Sequence, residues 1–122
     1  MMTKRQTQQQ KTGADAEQKA LEFLRKHKLK LLARNYRCRR GELDLIMQHH
    51  DTLVVVEVRY RQSDRFGSAL ESITPHKQSR IIAATQHYVL QHNINPIIRF
   101  DVIAISGDNH IDWIQNAFQS RL

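Results

Sequence analysis

The stretch from Gly41 to Arg59 constrains this chain more than any other. It reads Gly41-Glu42-Leu43-Asp44-Leu45-Ile46-Met47, then Gln48-His49-His50-Asp51, then Thr52-Leu53-Val54-Val55-Val56-Glu57-Val58-Arg59. The outer pieces have strand composition and the middle is polar, which predicts a β-hairpin. Val54, Val55, Val56 and Val58 make a near-continuous apolar run, the mark of a central strand covered on both faces. The turn chemistry is weak, because His50-Asp51 is not one of the Gly-containing pairs that two-residue hairpins prefer. A turn centred between His50 and Asp51, with two or four loop residues, sets Asp44 opposite Glu57. Directly opposed residues share a face, with Cβ atoms roughly 4.5–5.5 Å apart, and like charges there repel. A carboxylate inside an apolar run is also expensive to bury unless paired or metal-bound. A divalent cation removes both objections, because hard cations take carboxylate oxygens. Alternation puts Arg59 on the Glu57 face. Asp, Glu and a cationic side chain on one face suit phosphodiester cleavage. The competing reading is a two-sided strand with ordinary ion pairs. An odd-length turn or a bulge would break the opposition of Asp44 and Glu57.

Gly41-Glu42-Leu43-Asp44-Leu45-Ile46, followed by Val55-Val56-Glu57-Val58-Arg59-Tyr60-Arg61, resembles the YraN-type family of small bacterial proteins. That family is similar to the restriction-endonuclease-like superfamily with its PD-(D/E)XK motif, and to archaeal Holliday-junction resolvases. The resemblance runs from about Gly13 to Phe118. It implies Asp44 as the motif's Asp, and Glu57, Val58 and Arg59 as its E-X-K, with Arg59 standing where the superfamily has Lys. It further implies that Asp44, Glu57 and the Val58 carbonyl hold Mg²⁺ or Mn²⁺. Glu17, on the first helix, completes such a site in the related resolvases. Those resolvases are dimers, so a homodimer is also implied.

The 122 residues make one domain, read as a polar disordered arm over 1–12 and an endonuclease-like domain over 13–122. No apolar run is long enough for a membrane span, and the N-terminus lacks the apolar segment of a secretory signal. Cys38 is the only cysteine, which excludes an internal disulfide and a multi-Cys zinc site and fits a reducing cytoplasm. Seven histidines are scattered without metal-ligand spacing. The net charge of +7 points to an anionic partner, usually nucleic acid. From Lys26 to Arg40 the chain carries Lys26, Lys28, Lys30, Arg34, Arg37, Arg39 and Arg40 and no acidic residue. This run leads straight into the carboxylate stretch. A solvated basic face is the bland alternative.

In order along the chain, Gly13 to Lys28 predicts a helix with Ala16, Ala20, Phe23, Leu24 and His27 on one stripe. Glu17 shares a stripe with Leu21 and Leu24, although a Glu near a helix start also suits the dipole. Leu29 to Arg37 predicts a first strand and Arg37 to Arg40 a basic turn. Tyr60 to Ser68 reads as a mobile loop at the mouth of the site. Thr74 and Pro75 are an N-cap and first helical residue, with Ile81, Ala84, Tyr88 and Val89 buried behind them. Lys77 and Arg80 lie near that helix start, where the backbone amides favour anions, and Lys77 suits a phosphate. Ile97 to Ser106 and His110 to Ile114 predict two more strands, and Ala117 and Phe118 a frayed terminal turn or helix. Asp101 reads as a structural carboxylate satisfying Arg99 or another sheet arginine.

The expected fold is therefore α/β: a mixed sheet flanked by helices, in the order helix, three-strand antiparallel meander, helix, two strands. The helix before the fourth strand makes a crossover, which predicts parallel pairing there. The expected function is nucleic-acid binding, on DNA including branched repair or recombination intermediates, with an endonuclease-type site. Asp44, Glu57, Arg59 and Glu17 are its catalytic candidates. Arg34, Arg37, Arg39, Arg40, Arg61 and Lys77 are its nucleic-acid contacts. The alternatives are an inactive binding module of the same fold, or an interaction domain for an acidic protein.

Overall fold

The computed structural model describes residues 8–61 and 66–120. Helix α1 (Gln8–Lys26) comes first. It starts at Gln8, so the disordered arm expected through Thr12 is helical from Gln8 onward, and residues 1–7 lie outside the described residues. Arg25 and Lys26 occupy its last turn, where the helix dipole favours cations. Lys28 then adopts a left-handed φ of 70°, and the Leu29 amide donates back to the Leu24 carbonyl at 3.1 Å. That closure ends the helix and turns the chain into the sheet.

Strands β1 (Lys30–Cys38), β2 (Gly41–His49) and β3 (Thr52–Arg61) form an antiparallel meander. A short helix α2 (Phe66–Glu71) and a longer α3 (Pro75–Gln91) carry the chain across to β4 (Ile97–Ser106), which pairs parallel to β3. Strand β5 (Ile111–Phe118) returns antiparallel, and the sheet order is β1-β2-β3-β4-β5. This is the mixed α/β layout expected from the sequence, with the crossover giving the parallel pair. Part of the expected mobile loop after Arg59 is instead regular: β3 runs to Arg61 and α2 begins at Phe66, while 62–65 lie outside the described residues. The expected terminal turn at Ala117 and Phe118 is also corrected, because β5 continues through them. Phe118 pairs with Phe100 and stacks on its ring at 4.9 Å. No described helix is long and apolar enough to cross a membrane.

The core has two halves, one on each face of the sheet. Ala16, Ala20, Leu21 and Leu24 of α1 pack on Leu45, Met47, Val54, Val56, Val58, Ile103 and Ile105. Ile81, Ala84 and Tyr88 of α3 pack on Leu43, Ile46, Leu53, Val55, Phe100 and Val102. β3 contributes to both halves, which is why its valines need no polar alternation. Asp101, fully buried, accepts from Arg99 Nε and Nη2 at 2.9 Å each, from the Trp113 indole at 2.9 Å and from the Asn116 amide at 3.0 Å. It fills the irregularity between β4 and β5 and is structural.

Thr74 caps α3, accepting the Lys77 amide at 3.2 Å, and Pro75 opens it. Gly41, buried at the start of β2, sets how closely this helix lies on the sheet. A Cβ there would fall 2.9 Å from the Arg80 carbonyl oxygen, a backbone atom with no freedom to swing away. We expect Gly41→Ala to reduce the unfolding free energy by about 1–3 kcal/mol, the usual cost of overpacking. Urea titration checks this; unchanged stability would mean that α3 does not rest on Gly41.

Candidate active site

The β2–β3 hairpin closes on a two-residue turn, with His50 taking the left-handed φ of 57° that a glycine more often supplies. The ladder runs from His49↔Thr52 to Leu45↔Val56, the register in which Asp44 and Glu57 come next. There it stops. The Val58 amide donates to Asp44 Oδ2 at 2.9 Å, and the Asp44 amide donates to Glu57 Oε2 at 3.3 Å. Each carboxylate takes a backbone donor of the other strand, so the pair meets through crossed bonds and not as a ladder pair. β2 also changes phase here: Leu43 and Leu45, two residues apart, pack on opposite faces of the sheet. β1 does the same, since Ala33 and Tyr36 share the α3 face across Asn35, whose φ is 53°. The strands thus open where the carboxylates lie.

Arg59 reaches across the gap. Its Nη1 lies 3.8 Å from Asp44 Oδ2 and its Nη2 lies 3.8 Å from Glu57 Oε1. Its closer contacts are the Val58 carbonyl, to which Nη1 donates at 3.1 Å, and Ser72 Oγ, to which Nε donates at 3.2 Å. Ser72 in turn donates to the Ala69 carbonyl at 2.7 Å, tying Arg59 to the end of α2. On the other side, α1 directs Glu17 towards the pair. Glu17 Oε1 is buried and has no hydrogen-bond partner among the described residues.

Three carboxylates therefore feel one another. Burial, reinforced by Asp44, pushes the Glu57 carboxyl up to about 8, against the pull of Arg59 and of the Asp44 amide. Burial also raises Asp44, opposed by the Val58 amide and Arg59. Glu17 is raised by burial and then by Asp44, with Arg34 and Asn35 acting the other way. Asp44 accepts the shorter amide bond and is the more exposed of the opposed pair. We therefore assign the charge to Asp44 and the proton to Glu57 at neutral pH.

The donor set consists of hard oxygens, which suits Mg²⁺ or Mn²⁺. Among the described residues no three Asp, Glu, His or Cys side chains come together as a group that could hold an ion. Asp44, Glu57 and the Val58 carbonyl are the oxygens that would hold such an ion, and Glu17 would act on it through water. The unsatisfied Glu17 oxygen and the raised carboxyls suit a cation at this place. Arg59 supplies part of that charge itself, towards Asp44 and Glu57.

The nucleic-acid candidates separate. β1 spans roughly 25 Å at the usual rise per residue, and its two ends lie at opposite ends of the sheet. Lys30 pairs with Gln48, far from the carboxylates, while Cys38 pairs with Gly41 near them. The run from Lys26 to Arg40 is therefore not one patch. Arg34 donates to Gln18 Oε1 at 3.2 Å and so serves the α1 side. Arg37 pairs with Glu42 at 3.6 Å, both well exposed. Arg39 and Arg40 form the exposed β1–β2 turn. Arg61 ends β3 with Nη1 near the Tyr60 carbonyl at 3.5 Å. Lys77 lines a cleft together with Glu57 and Arg59. Sequence reasoning missed Asn35 and Ser72; it set Arg80 beside Lys77 near the start of α3 but gave the phosphate contact to Lys77 alone. Asn35 left one signal, an Asn inside a strand, where that residue is depleted; Ser72 left none.

Folded Glu57 holds its proton to about 8, against an ordinary value of 4.5. Between those values the folded protein binds more protons than the unfolded chain. The stabilising contribution is therefore complete below the lower value and is lost as pH rises through the upper one. In chelator, wild-type stability should fall over this window by on the order of a few kcal/mol more than that of Glu57→Gln. Urea titrations at a series of pH values measure it; identical slopes for the two proteins would remove the proton from Glu57.

Comparison with known proteins places the chain. The model of the Uncharacterised protein family UPF0102 matches residues 16–105. A UPF0102 protein of Nitrosomonas europaea is 56% identical over 108 residues, covering 87% of this chain and 92% of the relative. One of Legionella pneumophila is 48% identical over 114 residues, covering 91% and 97%. One of Methylococcus capsulatus is 44% identical over 113 residues, covering 90% and 92%. The chain belongs to the UPF0102, or YraN-type, family.

Proposed function

We propose that this protein binds nucleic acid and carries a metal-dependent endonuclease-type site, acting on DNA such as branched repair or recombination intermediates. The observation that carries the reading is the meeting of Asp44 and Glu57 where β2 and β3 part, within the electrostatic reach of Glu17, one of whose oxygens is buried with no partner among the described residues. Structural carboxylates in a sheet are paired and saturated, as Asp101 is in this same sheet. Asp44, Glu57 and the Val58 carbonyl would hold Mg²⁺ or Mn²⁺, with Glu17 acting through water. The ion would supply charge neutralisation and Lewis acidity towards the phosphodiester. Arg59 would hold the phosphate and stabilise charge on it, and does not act as a base because guanidinium stays protonated. Ser72 fixes the direction of that guanidinium. The net charge of +7 favours a polyanionic partner.

A second reading, an inactive binding module of the same fold, is favoured by Arg59 itself. Its guanidinium already lies on both carboxylates and on the Val58 carbonyl. Lys in its place is a compact charge that takes part in proton transfer when its pKa falls. Losing such help costs typically 10²–10⁴-fold.

Calorimetric titration of Mn²⁺ should show a site that Asp44→Ala and Glu57→Ala each abolish. Single-turnover cleavage of branched and linear DNAs should be slow in wild type, equal or faster in Arg59→Lys and lost in Asp44→Ala. Equal heats in wild type and both alanine variants would falsify the metal site. Absence of cleavage of every substrate with either metal would leave the binding module as the function.

A further inference from the structure

The Glu57–Arg59 end of the site opens into a cleft of about 240 Å³ whose other wall is the first turns of α3, with Lys77 and Arg80 lining it. These residues are three apart on a helix and so project on the same side. Both are exposed, and neither side chain has a partner among the described residues. Glu42, also at the rim, is engaged by Arg37 at 3.6 Å and does not neutralise them. Two unpaired cations at such spacing repel each other, a cost that an anion between them reverses. Gly41, which follows the Arg39-Arg40 turn directly in the chain, lies against the Arg80 backbone, so the turn starts beside this part of α3. The basic groups of β1–β2 and of α3, remote in sequence, thus flank one end of the sheet.

We propose that Lys77 and Arg80 form a phosphate seat for the nucleic-acid backbone next to the carboxylate site, with Arg59 at its inner end. The strand then crosses the sheet end from the Arg39-Arg40 turn to α3, and does not follow β1 towards Lys30 and Lys26. The seat rests on the nucleic-acid reading above. It adds Arg80 to the contacts and leaves the far lysines of the basic run, Lys26 and Lys30, outside them.

The test compares three variants by fluorescence anisotropy on a labelled DNA duplex, single strand and four-way junction, in Ca²⁺ over a range of salt. Lys77→Gln with Arg80→Gln should weaken binding at least tenfold and flatten the log–log salt slope by about 0.9 for each duplex phosphate no longer neutralised. Lys77→Arg with Arg80→Lys should keep wild-type affinity and slope. Lys26→Gln with Lys30→Gln, which removes the same charge at the far end, should change binding less than threefold. All the substituted side chains are exposed, and equal melting temperatures will verify intact folding. If both neutralising pairs act equally, or if Lys77 and Arg80 have no effect while wild type binds, the seat is wrong and the nucleic-acid reading stands. If wild type binds none of the three DNAs, both fall. If it binds through the seat but never cleaves, the seat stands and the endonuclease reading falls.

Discussion

Two carboxylates and two backbone amides exchange partners at the place where β2 leaves β3, and the rest of the site depends on that exchange. Val58 gives its amide to Asp44, and Asp44 gives its own to Glu57. A regular ladder would have used carbonyl acceptors at these positions and kept the strands together. Carboxylates reach further, so the strands part without orphaning the donors. The opening admits Glu17 from α1 on one side and Arg59 on the other. It also explains why Leu43 and Leu45 serve opposite halves of the core. The apolar run of β3 makes the arrangement tense, because its covered faces keep Glu57 at 6% exposure. A single nearby Arg and one long amide bond do not fully compensate a charge so deep.

Arg59 holds its position by neutral acceptors more than by charge. Its contacts with Ser72 and the Val58 carbonyl are hydrogen bonds, whereas both carboxylates stand at 3.8 Å, a separation of Coulomb attraction without a bond. A small divalent ion approaches carboxylate oxygens at roughly 2.0–2.6 Å, far closer than the guanidinium does. The same oxygens thus offer an ion a shorter contact than the one they have. Ser72 at Nε and the Val58 carbonyl at Nη1 together fix the plane of the guanidinium.

The two halves of the fold divide the labour. The α1 half supplies a carboxylate through Glu17, and Arg34, bonded to Gln18, offsets it. The α3 half supplies cations, and Gly41 lets that helix come near enough for Lys77 and Arg80 to border the same opening. Asp101 lies in the same sheet and is more deeply buried than either site carboxylate, yet it has four donors and no unmet need. Burial alone does not mark a site; an imbalance between charge and partners does.

Much of this is legible in the order of residues. The period-two pattern and the valine run placed β2 and β3 and made β3 central. The hairpin register followed from where the polar turn fell, so Asp44 and Glu57 came out as neighbours. The N-cap and proline of α3 fixed its start, and the crossover fixed the parallel pair. These features are local, and local chemistry decides them. The tertiary structure alone decided the phase change at Asp44, the left-handed Asn35, the extension of β5 on Phe100, and the split of the basic run between opposite ends of the sheet. It also brought Ser72 to Arg59, and Arg80 to the cleft. Each of these depends on the distance between groups far apart in the chain, and a periodic pattern carries which face a residue takes but not which distant backbone will rest against it.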